Sequence, residues 1–175
     1  NEITREKQAE ARLLLVHQEL EQRVEARTHE LNSANALLEA VFDRTPAAIA
    51  LSDLDGRIVR TNAAFERMVG LSARKLRHLA MDRLADPQDA GERRARIGAL
   101  LAGEVQDFVL DMRFRRADGS VIWIEDFAAT IGGDGGAPRY VVEIVRDITG
   151  PKRAADEILA SRNELRFPYD WLQRV

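Results

Sequence analysis

With 175 residues, 45% of them hydrophobic and 31% charged, the chain is sized for one domain with helical extensions. Zero cysteines exclude disulfides, thiolate metal sites, cysteine nucleophiles and cysteinyl-flavin photochemistry, and suit a reducing, cytoplasmic compartment. The net charge of -3 argues against a nucleic-acid surface, and no apolar run approaches the ~20 residues of a membrane span. Because the chain opens on asparagine, the expectation is a segment of a longer protein, one that an upstream membrane anchor would suit.

Residues 2–42 lack glycine and proline and are expected to form one helix about 60 Å long, at ~1.5 Å per residue. Its apolar residues follow a heptad: Leu13, Leu20, Ala34 and Val41 on one seam position, Val24, Leu31 and Leu38 on the other. So narrow a stripe suits a partner helix, hence a parallel coiled-coil homodimer, or else a solitary solvated rod. His17 and Arg27 interrupt the seam; polar seam residues lower stability but fix register, or allow two registers of similar energy.

Pro46 disfavours helix at Thr45 and ends the arm. Residues 47–53 then predict a strand, Asp55-Gly56 a hairpin turn and residues 57–60 its return. Thr61 or Asn62 is expected to cap a short helix stopped by Gly70, and Ser72 to cap another. A longer helix opens at Asp86-Pro87 and runs to Ala102, burying Ile97, Leu100 and Leu101.

Residues 107–116 alternate cleanly, with Phe108, Leu110, Met112 and Phe114 on one side, so that this strand covers a core with one face. The Asp118-Gly119 turn returns it through residues 121–130, bringing Ile122 and Ile124 opposite that row and Trp123 to the outer face. A glycine-rich turn at 132–136 precedes a strand over 140–148. Thr149 or Asp147 is expected to cap a last helix from Pro151, and no element is assigned to the tail 167–175. The fold class is α+β: a five-stranded antiparallel sheet with helices on one face, divided as arm 1–42, domain 43–149, output linker helix 150–166 and tail 167–175.

The Asp53-Leu54-Asp55-Gly56 turn with Asn62-Ala63-Ala64-Phe65 resembles the opening of a PAS sensor domain. Asp118-Gly119-Ser120-Val121-Ile122-Trp123 and Arg146-Asp147-Ile148-Thr149-Gly150 are similar to its second half and its close. Val24-Glu25-Ala26-Arg27-Thr28-His29-Glu30-Leu31 resembles the signalling helices of bacterial sensor histidine kinases. The resemblance implies a non-enzymatic module that passes ligand occupancy or dimer rearrangement to a fused output domain. That output is a histidine kinase or, alternatively, a diguanylate cyclase; the other alternative is a ligand-free dimerisation spacer. It also implies a cavity beneath the short helices, lined by Phe65, Met68, Ile97, Leu101, Leu110, Met112, Phe114, Ile122 and Ile124, with Glu143 and Val145 turned inward. Asp126 continues the inward phase of Ile122 and Ile124. Asp147, Ile148 and Thr149 match the family's junction with the output helix.

Glu143 is the expected polar ligand contact, or else pairs with Arg139 or Arg146. Haem is disfavoured because no histidine lies in residues 86–104, His78 falling just before; flavin is disfavoured because Phe114, Ile124 and Val145 stand where its amide partners would. The scattered His17, His29 and His78 support no metal site, and no catalytic constellation can be assembled. That leaves no cofactor, or an unknown small ligand. The expected dimer contacts are Leu20, Val24, Leu31 and Leu38, with Trp123 covered by the arm or by a second subunit.

Overall fold

The computed structural model describes residues 2–132 and 137–166, which divide into an arm ending at Asp43 and a domain beginning at Arg44. The arm is a single helix, α1 (Glu2–Arg44), ending directly before Thr45-Pro46. Leu13, Leu20, Val24, Leu31, Leu38 and Val41 are each more than half exposed along it. The two polar seam residues pair along their own helix, His17 with Glu21 at 3.1 Å and Arg27 with Glu30 at 2.9 Å.

In the domain, β1 (Ala48–Ser52) and β2 (Ile58–Thr61) form the first hairpin. Asp53 shapes its turn: Oδ1 accepts from the N–H groups of Asp55 and Arg57, and Gly56 takes a left-handed φ of 75°. Of the two caps expected for α2 (Ala63–Val69), Asn62 is the one used. Its Oδ1 accepts from Phe65 and Ile49, and its Nδ2 donates to the carbonyl of Ala47, tying helix, hairpin and the start of β1 together. Ser72 precedes α3 (Ala73–Leu76) but makes no side-chain cap; Glu66 instead accepts from the Ala73 N–H at 2.9 Å.

A short 3-10 turn, η1 (Met81–Arg83), leads to α4 (Ala90–Leu101), which begins later than Asp86-Pro87 suggested. Asp86 first closes a separate turn by accepting from Gln88. The Arg113 N–H and guanidinium both donate to Asp89 at 2.8 Å, fastening the start of α4 to the next strand.

Strands β3 (Asp107–Arg115), β4 (Val121–Gly132) and β5 (Pro138–Asp147) complete an antiparallel sheet of order β2-β1-β5-β4-β3. The β3–β4 register sets Phe114 opposite Ile122 and Met112 opposite Ile124, as the alternation required. The inner face carries the apolar core, with Phe65, Phe114, Met112 and Ile124 fully buried. The outer face leaves Val109 and Ile144 exposed. The last helix, α5 (Thr149–Arg166), starts at Thr149 rather than Pro151. The glycine turn at 133–136 and the tail at 167–175 lie outside the described residues.

Candidate functional site

Among the described residues one cationic side chain enters the apolar core, and it comes from α4. Arg93 lies on the same stripe as Ile97 and Leu100, at spacings of four and seven, so a helix that buries the leucine also buries the arginine. It is 3% exposed. Its guanidinium donates through one terminal nitrogen to Asp82 on η1 and through the other to Glu143 on β5, and Nε stands 4.0 Å from Asp126 on β4. Glu143 therefore pairs with neither Arg139 nor Arg146: it is fully buried against Arg93, while Arg146 pairs with Glu125 at 2.9 Å.

Asp126 is also fully buried, and no donor among the described residues reaches either of its oxygens. Burial first, and then the neighbouring Glu143, push its carboxyl well above the ordinary range, against the pull of Arg93. The Arg93 guanidinium is held still more firmly protonated, since the field of Glu143, Asp126 and Asp82 outweighs the burial that opposes it.

The residues expected around a cavity are brought together on this face. Phe65, Leu110, Met112, Phe114, Ile122, Ile124 and Val145 pack as one apolar core, with Met68, Ile97 and Leu101 against its rim. Ile97 also lines a cleft of about 230 Å³ with Leu54, Gly56, Asp82, Arg93 and Arg94, so Arg93 reaches both this cleft and the buried carboxyls. Met68 and Val145 line a wider open cleft of about 670 Å³ near Pro46 and Phe127. Among the described residues no cluster of histidine and carboxylate side chains fits a metal ion.

On the opposite face, Asp147, Ile148 and Thr149 join β5 to α5. The Ile148 N–H donates to the Trp123 carbonyl at 2.9 Å, and Thr149 Oγ1 accepts from the Trp123 N–H at 3.0 Å. Asp147 accepts from the Thr149 N–H at 2.9 Å and from Arg116 at 3.2 Å. Asp147 thus shapes the turn into the helix, while the threonine side chain reaches back to β4. Trp123 is half-buried, with Lys152 Nζ 5.1 Å and the Arg113 guanidinium 5.3 Å from its ring centre. Lys152 also pairs with Asp111 at 2.9 Å. Part of the cover expected from the arm or a second subunit is therefore supplied by the first turn of α5.

A short-helix layer over an open five-stranded sheet, closed by this junction, is the arrangement that the PAS resemblance implies, and the PAS fold family model matches residues 42–153. The chain belongs to the PAS fold family. It is 35% identical over 143 residues to the C4-dicarboxylate transport sensor protein DctS of Rhodobacter capsulatus, an alignment covering 77% of this chain and 22% of that protein. It is 27% identical over 135 residues to the sensor histidine kinase TmoS of Ectopseudomonas mendocina, covering 77% of this chain and 14% of the relative. The chain thus spans less than a quarter of the length of either. The crystal structure of a PAS domain from Colwellia psychrerythraea superposes with a TM-score of 0.62 at 24% identity, covering 66% of this chain and 98% of that one.

Arg93 is the residue that sequence reasoning missed. A helix arginine is ordinarily assigned to solvent, and its signal was its spacing from Ile97 and Leu100 together with two inward carboxylates that needed a cation.

Proposed function

We propose that this chain is the sensory and relay module of a bacterial signal-transduction protein, its output domain a histidine kinase. Membership of the PAS family and similarity to two sensor proteins support that reading, as does the sheet-to-helix junction. The observation that carries it is the double attachment of residues 148–149 to the backbone of Trp123, because a displacement of β4 is then passed to the start of α5. The unit acts in the cytoplasm as a parallel homodimer through Leu20, Val24, Leu31 and Leu38, and Trp123 is a further dimer contact. The bare apolar seam of α1 supports this, since a helix exposing it gains by burying it against a second copy. Among the described residues no helix is long and apolar enough to cross a membrane.

Thr149→Val in the intact parent protein tests the relay. The expected result is a domain that keeps its circular dichroism while autophosphorylation loses its response to signal; an unchanged response overturns the proposal. Sedimentation of the 175-residue chain tests the dimer, and a monomer at micromolar concentration counts against it.

A ligand-free relay is favoured by one specific observation. The side chains expected to line a cavity, Phe65 and Phe114 among them, pack against one another. Native mass spectrometry with an absorption spectrum separates the two: a retained small molecule supports occupancy sensing, and bare protein supports the relay without ligand.

A further inference from the structure

Asp126 and Glu143 have an arrangement that neither an apolar core nor a simple ion pair requires. In the β4–β5 ladder Asp126 is opposite Val145 and Glu143 is opposite Ala128, so the two acids are diagonal neighbours on the inner face. Both are fully buried. The neighbouring strands are largely apolar: Leu110 is across from Asp126 on β3, Ala50 is across from Glu143 on β1, and Ile124 and Ala128 flank them on β4, while the buried Ser52, diagonal to Glu143 on β1, adds one uncharged hydroxyl. Of the charged side chains of α4 only Arg93 is buried, and η1 contributes Asp82, already bound to Arg93 and within 3.5 Å of Arg94.

Asp82 and Arg94 reach solvent, so the dry interior holds one cation, Arg93, against two carboxylates, one more negative charge than it tolerates without compensation. Glu143 takes the guanidinium directly. Asp126 takes no hydrogen bond from it: both of its oxygens and Glu143 Oε2 lack a donor, although the two carboxyls converge on the one guanidinium, Asp126 at 4.0 Å from its Nε. A single proton on Asp126, donated to Glu143, balances the charge and partners two of the three orphaned oxygens, one on each carboxyl.

We propose that the core of this domain is a proton-binding site, in which Asp126 holds one proton against Glu143 beneath the guanidinium of Arg93. When the proton leaves, two carboxylates repel each other in the interior. The Arg93 bridge that holds α4 and η1 to β5 must then rearrange, and the 230 Å³ cleft whose wall is Arg93 opens or fills with water. The ligand sensed is the proton itself. Its passage to an output helix rests on the relay proposed above; its binding does not, and the two are tested separately.

The site is tested by urea unfolding of the whole 175-residue chain and of Asp126→Asn at several pH values between about 5 and 8, above the ordinary carboxylate range. An aspartate protonated in the folded state and ionised in the unfolded state takes up a proton on folding. The native state of the wild type then weakens with rising pH relative to the variant, by up to tenfold in the unfolding constant per pH unit until the folded group ionises. A wild-type-to-variant ratio that is flat across the range overturns the proposal. Infrared spectra of the wild type at neutral pH give a second measurement independent of any variant's folding. The carbonyl band of an un-ionised carboxylic acid is expected, and its absence overturns the assignment.

Discussion

Strand β4 presents two kinds of charge on its two faces, three residues apart. Inward, Asp126 sits among fully buried groups that depend on a single guanidinium. Outward, Trp123 is flanked by Arg113 and Lys152, whose ion pairs with Asp89 and Asp111 touch solvent. The two differ in what each interaction costs to break. In a dry core, removing one partner strands the others without water, whereas at the surface water replaces the lost partner almost fully. A buried cluster therefore has few alternative arrangements separated by sharp steps, and a surface junction has many, easily exchanged. In the relay proposed above, the first suits detection and the second suits transmission to α5.

The sharpest way to break this contrast is Arg93→Met. It leaves the buried Glu143 without its cation, while Asp82 keeps only Arg94, and is expected to lower stability by about 3–5 kcal/mol in urea unfolding. Replacing Arg93, Asp126 and Glu143 together with apolar residues of similar volume should recover most of that loss. If the triple variant is no more stable than the single one, the cost was one of packing and not of stranded charge. Asn62→Ala removes a helix cap and two further buried bonds at once, and should cost about 2 kcal/mol by the same measurement.

Thr149→Val deletes the acceptor for the Trp123 N–H and is expected to cost about 1 kcal/mol, with faster hydrogen exchange confined to that amide and the first turn of α5. Smaller again is Lys152→Ala, below about 0.5 kcal/mol, detectable chiefly as a change in tryptophan emission if Trp123 loses its cover.

The pH dependence separates the faces by sign. Hydrogen bonds from Arg113 hold the Asp89 carboxyl below its ordinary range despite partial burial. The stability it contributes is present above the carboxylate range and is lost as pH falls through its folded value. Asp89→Asn should therefore flatten the acid side of the stability profile, while Asp126→Asn flattens the neutral side with the opposite slope. Equal slopes from the two variants would dissolve the distinction.

Much of this was legible in residue order. The Thr45-Pro46 stop, the Asp-Gly turns and the strict alternation of β3 are local effects of backbone sterics and period, so they specified elements and register without reference to distant residues. Helix caps were less legible. Asn62 won over Thr61 because its amide serves a helix and two strand groups at once, and Glu66 displaced Ser72 from a role that short-range propensity assigned to serine.

The inward phase of Glu143 and Asp126 could be followed from family resemblance and alternation, but their partner could not. By itself the sequence determined the five-stranded α+β scaffold, the apolar seam of α1 and the position of the β5–α5 junction, because each follows from periodicity and turn chemistry within a few residues. Only the tertiary structure decided that Arg93, 33 residues before Asp126 and 50 before Glu143, is the cation they share. Which charge meets which in a core depends on how a helix face is laid over a sheet, and desolvation makes that choice matter far more than sequence proximity does.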